Sequence, residues 1–117
     1  MTDLTTRYLE CWNETDPAAR RELLADVFTA DATYIDPMAE AHGLAAIDAT
    51  IGAVQAQFPE FTFSAIGAPD AHHNQSRFGW GLGPAGAEAP IVGFDVAVTD
   101  DDGRITTVLG FLDKIPH

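Results

Sequence analysis

Only one of the 117 residues is a cysteine, Cys11, so the chain can close no internal disulfide and offers no pair of thiolates to a metal. Cys11 is expected in the core as a small apolar residue. Basic residues are scarce too: six Lys and Arg stand against eighteen Asp and Glu, for a net charge of −12. A phosphate-binding surface needs clustered cations, so nucleic acid and anionic membranes are not expected partners, and the charge serves solubility. No apolar run reaches the length of a membrane span and no signal-peptide core is visible at the N-terminus, which points to a soluble, cytoplasmic protein. Metal and nucleotide motifs are missing as well. There is no HExxH, and His72 and His73, being adjacent, would point to opposite faces of a strand and could not share an ion. Gly81, Gly83 and Gly86 formally spell GxGxxG, but Pro84 interrupts them and no helix follows, so a hairpin loop is expected there. Ser64 and Ser76 lack the setting of a nucleophile elbow.

With 46% hydrophobic residues, the chain has enough apolar material for one compact domain spanning residues 1–117 and is too short for two. Leu4, Tyr8, Cys11 and Trp12 share one face of a first helix that ends near Asn13. Asp16 followed by Pro17 starts a second, whose buried stripe is Leu23, Leu24, Val27 and Phe28. "ATYID" alternates as a short strand with Tyr34 and Asp36 on one face, limited by Pro37. After a loop through His42 and Gly43, the spacing of Ile47, Ile51, Val54 and Phe58 predicts a third helix that Pro59 stops. The remainder reads as four strands in an antiparallel meander, punctuated at Pro69-Asp70, at "GPAGAEAP" and at "TDDDG". The order is that of an α+β domain.

Within this pattern one charge is out of place. Asp95 lies between Phe94 and Val96 in an otherwise uncharged run from Ala89 to Val98, and its same-face neighbours are Ile91, Gly93 and Ala97. A carboxylate in such surroundings tends to be protonated, paired or functional. Taken alone, Asp36 fits a turn-capping Asp-Pro and Tyr8 an ordinary helix-face aromatic.

The segments "RYLECWNETD", "DATYIDP", "HGLAAI" and "FDVAVTDDDGRI" resemble the corresponding parts of ketosteroid isomerase, within the wider nuclear-transport-factor-two-like superfamily that includes SnoaL-like polyketide cyclases. The resemblance implies three helices packed on a strongly curved, mostly antiparallel sheet, a cone-shaped α+β barrel around a pocket. It also implies a catalytic group of Tyr8, Asp36 and Asp95: Asp36 as the base, Tyr8 and a neutral Asp95 as donors to an enolate oxygen. The wall would come from Trp12, Phe28, Tyr34, Phe58, Phe63 and Trp80, with His42 assisting or capping a loop.

The expected function is proton transfer beside the carbonyl of a small hydrophobic molecule, of isomerase or cyclase type and without a cofactor. Two alternatives stay open: water activation for epoxide opening, with Arg77 paired to a pocket carboxylate, and ligand binding without catalysis. If Asp95 faces the pocket, then Val92, Phe94, Val96 and Val98 face the other way with no helix to cover them, and a homodimer through that face is expected.

Overall fold

The computed structural model describes residues 3–115. In chain order the elements are α1 (Leu4–Asn13), α2 (Pro17–Val27), β1 (Phe28–Ile35), β2 (Glu40–His42), α3 (Leu44–Gln57), β3 (Phe61–His72), β4 (Gln75–Pro84), β5 (Ile91–Thr99) and β6 (Ile105–Lys114).

The helices begin where side chains or backbone geometry supply a start. Asp3 accepts from the Thr6 amide at 2.8 Å to cap α1, and Asp16 accepts from the Ala19 amide at 2.9 Å to cap α2, with Pro17 in its first turn. α3 starts at Gly43, whose φ of 87° suits glycine. The three helices are tied together by Arg20, which is buried on α2. It donates to Asp48 Oδ1 at 2.6 Å, to Gln55 Oε1 at 2.7 Å and to the Glu14 carbonyl at 3.1 Å. Gln55 in turn donates to the Trp12 and Glu14 carbonyls, so the C-terminal end of α1 is fixed by two neighbouring helices.

The sheet has the order β2-β1-β6-β5-β4-β3. β3 to β6 form the antiparallel meander, while β1 returns beside β6 in parallel. β2 and β3 are free edges, so the sheet wraps the core without closing into a barrel. Two sequence expectations shift here. Pro69-Asp70 does not end a strand: Pro69 lies within the edge strand β3, where its missing N–H costs little, and the ladder slips between Ile66 and Asp70. The β3–β4 reversal falls instead at His73-Asn74, with His73 at a φ of 54°. That backbone brings the His72 and His73 rings together, Nδ1 to Nδ1 at 3.1 Å, whereas an unbroken strand would have separated them. Among the described residues no group of three or more His, Cys, Asp or Glu converges as a metal site would require. No described helix is long and apolar enough to cross a membrane.

Phe28, expected in the stripe of α2, caps that helix and opens β1. With Tyr8, Leu24, Val27, Ile47, Ile51, Ile105 and Val108 it forms the fully buried core. Cys11 belongs to that core as well, and burial pushes its thiol up to about 12. On β5, Ile91, Gly93, Asp95 and Ala97 face inward, and the intervening Val92, Phe94, Val96 and Val98 are half-buried on the outer face. There Phe94 stacks on Phe111 with ring centroids 5.0 Å apart, and Ile66, Leu109 and Phe111 are exposed.

Candidate functional site

α1 presents Tyr8 and Trp12 from successive turns of one face, toward the concave side of the sheet. Strand alternation supplies the rest: Tyr34 from β1, Trp80 from β4 and Asp95 from β5 project to the same side, and Asp36 follows β1. Between these groups and α3 lies a cavity of about 420 Å³, the size of a small-molecule site. Leu9, Val54, Phe58, Phe63, Leu82 and Leu112 make most of its apolar wall. Asp36 and Asp95 are the only charged side chains among the described lining residues.

Asp95 is 3% exposed. Its Oδ2 accepts from the Tyr8 hydroxyl at 2.7 Å, across 87 residues of sequence, and its Oδ1 accepts from the Trp80 indole N–H at 3.0 Å. Burial raises its carboxyl to about 6; the bonds from Tyr8 and Trp80 oppose that rise, and the nearby Asp36 charge adds to it. Asp95 therefore titrates close to neutrality. The Tyr8 phenol is raised well above its ordinary value, by burial first and by Asp95 second, so it remains a protonated donor.

Asp36 is held differently. Its Oδ1 accepts the Met38 and Ala39 amides at 2.8 Å each, closing a turn around Pro37, and its Oδ2 accepts the Tyr34 hydroxyl at 2.5 Å. Burial, with the charges of Asp95 and Asp36, raises the Tyr34 phenol as well. Two glycines let these groups approach. A Cβ on Gly110, which pairs with Asp95 across β5 and β6, would lie 2.8 Å from Asp95 Oδ1 and 3.2 Å from Asp36 Cβ. The Asp95 carboxylate and the Asp36 Cβ thus flank the bare backbone of one residue. Gly93, paired with Trp80, leaves the space its indole occupies; a Cβ there would stand 2.5 Å from the ring.

Of the residues singled out in the sequence, Tyr8, Asp36, Asp95, Trp12, Tyr34, Phe58, Phe63 and Trp80 all meet at the cavity. Phe28 does not line it: the ring is fully buried against Tyr8, centroids 6.0 Å apart. His42 is exposed on the edge strand β2, bonded to Glu40 at 2.8 Å and to Thr33 at 3.2 Å. Arg77 points outward from β4, 3.9 Å from Asp70, and holds no cavity carboxylate. Gly81 and Gly83, far from cradling a phosphate, make room for Ala89 and Pro90. Sequence reasoning missed Gly110, and missed that the Trp80 indole, besides lining the cavity, donates to Asp95.

A model of the SnoaL-like domain matches residues 5–108. Among solved structures, the chain is similar to a SnoaL-like family protein from Agrobacterium tumefaciens str. C58 that bears the provisional name of an isomerase. The two are 36% identical over 94% of each chain, with a TM-score of 0.89. An NTF2-like protein of unknown function from Exiguobacterium sp. 255-15 is 20% identical over 95% of this chain and 98% of its own, with a TM-score of 0.74. A protein of ketosteroid isomerase-like fold from Catenulispora acidiphila, in complex with trimethylamine, is 19% identical over 94% of this chain and 85% of its own, with a TM-score of 0.72. These last two bear on the fold alone. No curated protein matches the chain. By a domain match that runs from α1 into β6, and by a relative more than a third identical along nearly its whole length, the chain belongs to the SnoaL-like family and has the NTF2-like fold.

Proposed function

We propose that the cavity performs proton transfer beside the carbonyl of a small hydrophobic compound, an isomerase- or cyclase-type reaction that needs no cofactor. The observation that carries this reading is two aspartates on either side of Gly110, each bonded to a buried phenol, as the only charged groups among the described residues of a mostly apolar chamber. Asp36 is the base: it takes a proton from the carbon next to the carbonyl, and the electron pair of that C–H bond moves toward the carbonyl oxygen as an enolate. Tyr8 and Asp95 stabilise the oxygen.

Trp80 sets how they do so. Its indole N–H can only donate, so Asp95 Oδ1 must accept, and the proton of a neutral Asp95 sits on Oδ2, facing the Tyr8 oxygen. Donation from Asp95 to Tyr8 frees the phenol proton for the substrate. Asp95 therefore acts through Tyr8.

The test is deuterium uptake from D2O at the α-carbon of ketones such as 1-tetralone and 3-cyclohexenone. Wild type should accelerate uptake, and Asp36→Asn should lose about 100- to 10,000-fold of the acceleration. No acceleration over buffer, or an unchanged rate in the variant, would refute the reading.

One observation favours a second reading, the binding of a compact organic cation: both charged lining groups are carboxylates, and Trp12, Tyr34, Phe63 and Trp80 present ring faces and edges around them. The structurally similar Catenulispora protein is in complex with trimethylamine. Tight binding of trimethylammonium, with no deuterium uptake for any ketone, would select that reading.

A further inference from the structure

As a carboxylate, Asp36 offers about four acceptor positions, two on each oxygen. Oδ1 takes the Met38 and Ala39 amides at 2.8 Å each, which fills it, and Oδ2 takes the Tyr34 hydroxyl at 2.5 Å. Pro37 has no N–H to add. Among the described residues nothing takes the remaining position, and it belongs to Oδ2, the oxygen that the phenol holds. The backbone of the same turn is closed as well, since the Asp36 amide donates to the Ala39 carbonyl at 2.9 Å. The holder is itself fixed: Tyr34 is 4% exposed, lines the cavity from β1 and packs against the Trp12 ring at a centroid distance of 5.4 Å. Burial, first among the causes, raises its phenol, so it stays a protonated donor. Asp36, only half-buried in the cavity wall, stays open to a ligand.

We propose that Tyr34 is the positioning residue of the base: by holding Asp36 Oδ2 it leaves a single lone pair, in one direction, to receive the substrate proton. This role rests on the proton-transfer reading of the cavity and extends it to a residue that reading leaves as wall. In the step itself the proton passes from the α-carbon to the open lone pair of Oδ2, the C–H electron pair moves to the carbonyl oxygen, and Tyr34 keeps its own proton. Without the phenol, Oδ2 has two open lone pairs and the carboxylate is restrained from the Oδ1 side alone. Fewer bound substrates then meet the base in line, so the loss falls on turnover and not on binding. The Oδ1 anchors are backbone amides, which leaves Tyr34 as the one described part of the anchor that a side-chain substitution removes.

The experiment is a double-mutant cycle on deuterium uptake by 1-tetralone from D2O, with wild type, Tyr34→Phe, Asp36→Asn and the double variant. Tyr34→Phe removes the hydroxyl and keeps the ring. Its kcat should fall about 10- to 100-fold, with KM within about twofold of wild type. With Asp36→Asn already in place, adding Tyr34→Phe should change the remaining uptake less than about twofold, because the base it positions is gone. A merely structural tyrosine would cost the same factor in both backgrounds, or raise KM, and either result overturns the proposal. So does an unchanged kcat in Tyr34→Phe where Asp36→Asn is slow, a result that leaves the proton-transfer reading standing. Uptake no faster than buffer in wild type overturns both. If Tyr34→Phe does not fold, Tyr34→Met takes its place in the cycle, and proton NMR supplies a check without any change at position 34. The Tyr34 hydroxyl of wild type should give a slowly exchanging downfield resonance that is lost in Asp36→Ala; its absence from wild type overturns the anchor.

Discussion

Replacing Asp95 by asparagine probes the most unusual group in the chain without any substrate. The carboxyl sits at about 6 in the folded protein against about 3.9 in an unfolded chain, so the folded state holds a proton that the unfolded state has already released. With the folded value raised, the stabilisation from this group is fully present below pH 4 and is lost as pH rises through 6. Two pH units of displacement correspond to about 3 kcal/mol in total, at about 1.4 kcal/mol per unit. Close to half of that, roughly 1.3 kcal/mol, falls between pH 5 and 7, and almost nothing changes above pH 7. The window is narrower than for a carboxyl that stays neutral throughout the physiological range, because the Tyr8 and Trp80 bonds favour the carboxylate and limit what burial does.

Asparagine suits the comparison because its amide can meet both partners. The carbonyl oxygen accepts from Trp80, and the amide nitrogen faces the Tyr8 oxygen, which can receive it. Urea unfolding of both proteins from pH 5 to 8 then isolates the titration, since the general repulsion of a chain with net charge −12 changes alike in the two. The stability of wild type relative to Asp95→Asn should fall by about 1.3 kcal/mol from pH 5 to 7 and then level off. Parallel profiles across the whole range would mean that Asp95 ionises alike in both states. A fall that continues past pH 7 would mean that Tyr8 and Trp80 do not support the carboxylate.

Three other outcomes follow from the same geometry. If neutral Asp95 is the form that feeds its proton through Tyr8, kcat/KM for the proton-transfer substrate should rise as pH falls from 8 toward 6, and Asp95→Asn should abolish that limb; a flat wild-type profile would separate Asp95 from the chemistry. Gly110→Ala would put a methyl group 2.8 Å from Asp95 Oδ1, so the carboxylate must leave Trp80. About 100-fold lower turnover is expected, with a stability loss of about 1–3 kcal/mol by urea unfolding, and normal activity would refute the close approach. On the outer face, the exposed Leu109 and Phe111 beside Phe94 should carry a homodimer; light scattering at micromolar concentration should give twice the mass of one chain, falling to one chain's mass in Phe111→Asp.

What the sequence made legible depended on how local the cause was. The helices were readable because their ends are written in neighbouring residues: Asp16 with Pro17 at the start of α2, Gly43 at the start of α3 and Pro59 beyond its end. Asp95 stood out because strand alternation is also local. Pro69 misled because whether a proline ends a strand depends on whether that strand is an edge, and β3 is an edge only by virtue of the order of the whole sheet. Phe28 misled for a related reason. The helical period ran one residue past the end of α2, so the ring entered the core as the first residue of a strand.

The site shows the same division. Tyr8 and Trp12 could be placed together because one helical turn separates them, but that Trp80 gives its N–H to Asp95 is a matter of register between β4 and β5. Gly110 lay beyond a purely sequential argument. The "TDDDG" turn folds β6 back on β5, but counting outward from its middle, Asp101, sets Thr107 opposite Asp95, whereas the ladder, which shifts register between Val98 and Thr99, pairs Asp95 with Gly110. A glycine facing the one misplaced charge in the chain is then a signal in itself: a residue without a side chain stands where another side chain must cross the strand. Nothing local says that Asp36 approaches the same gap from the far side, because β1 reaches β6 by a parallel pairing, and one helix and four strands of chain lie between them. The two carboxylates share a chamber through that long-range pairing, which the family resemblance implied and no local pattern in the sequence shows.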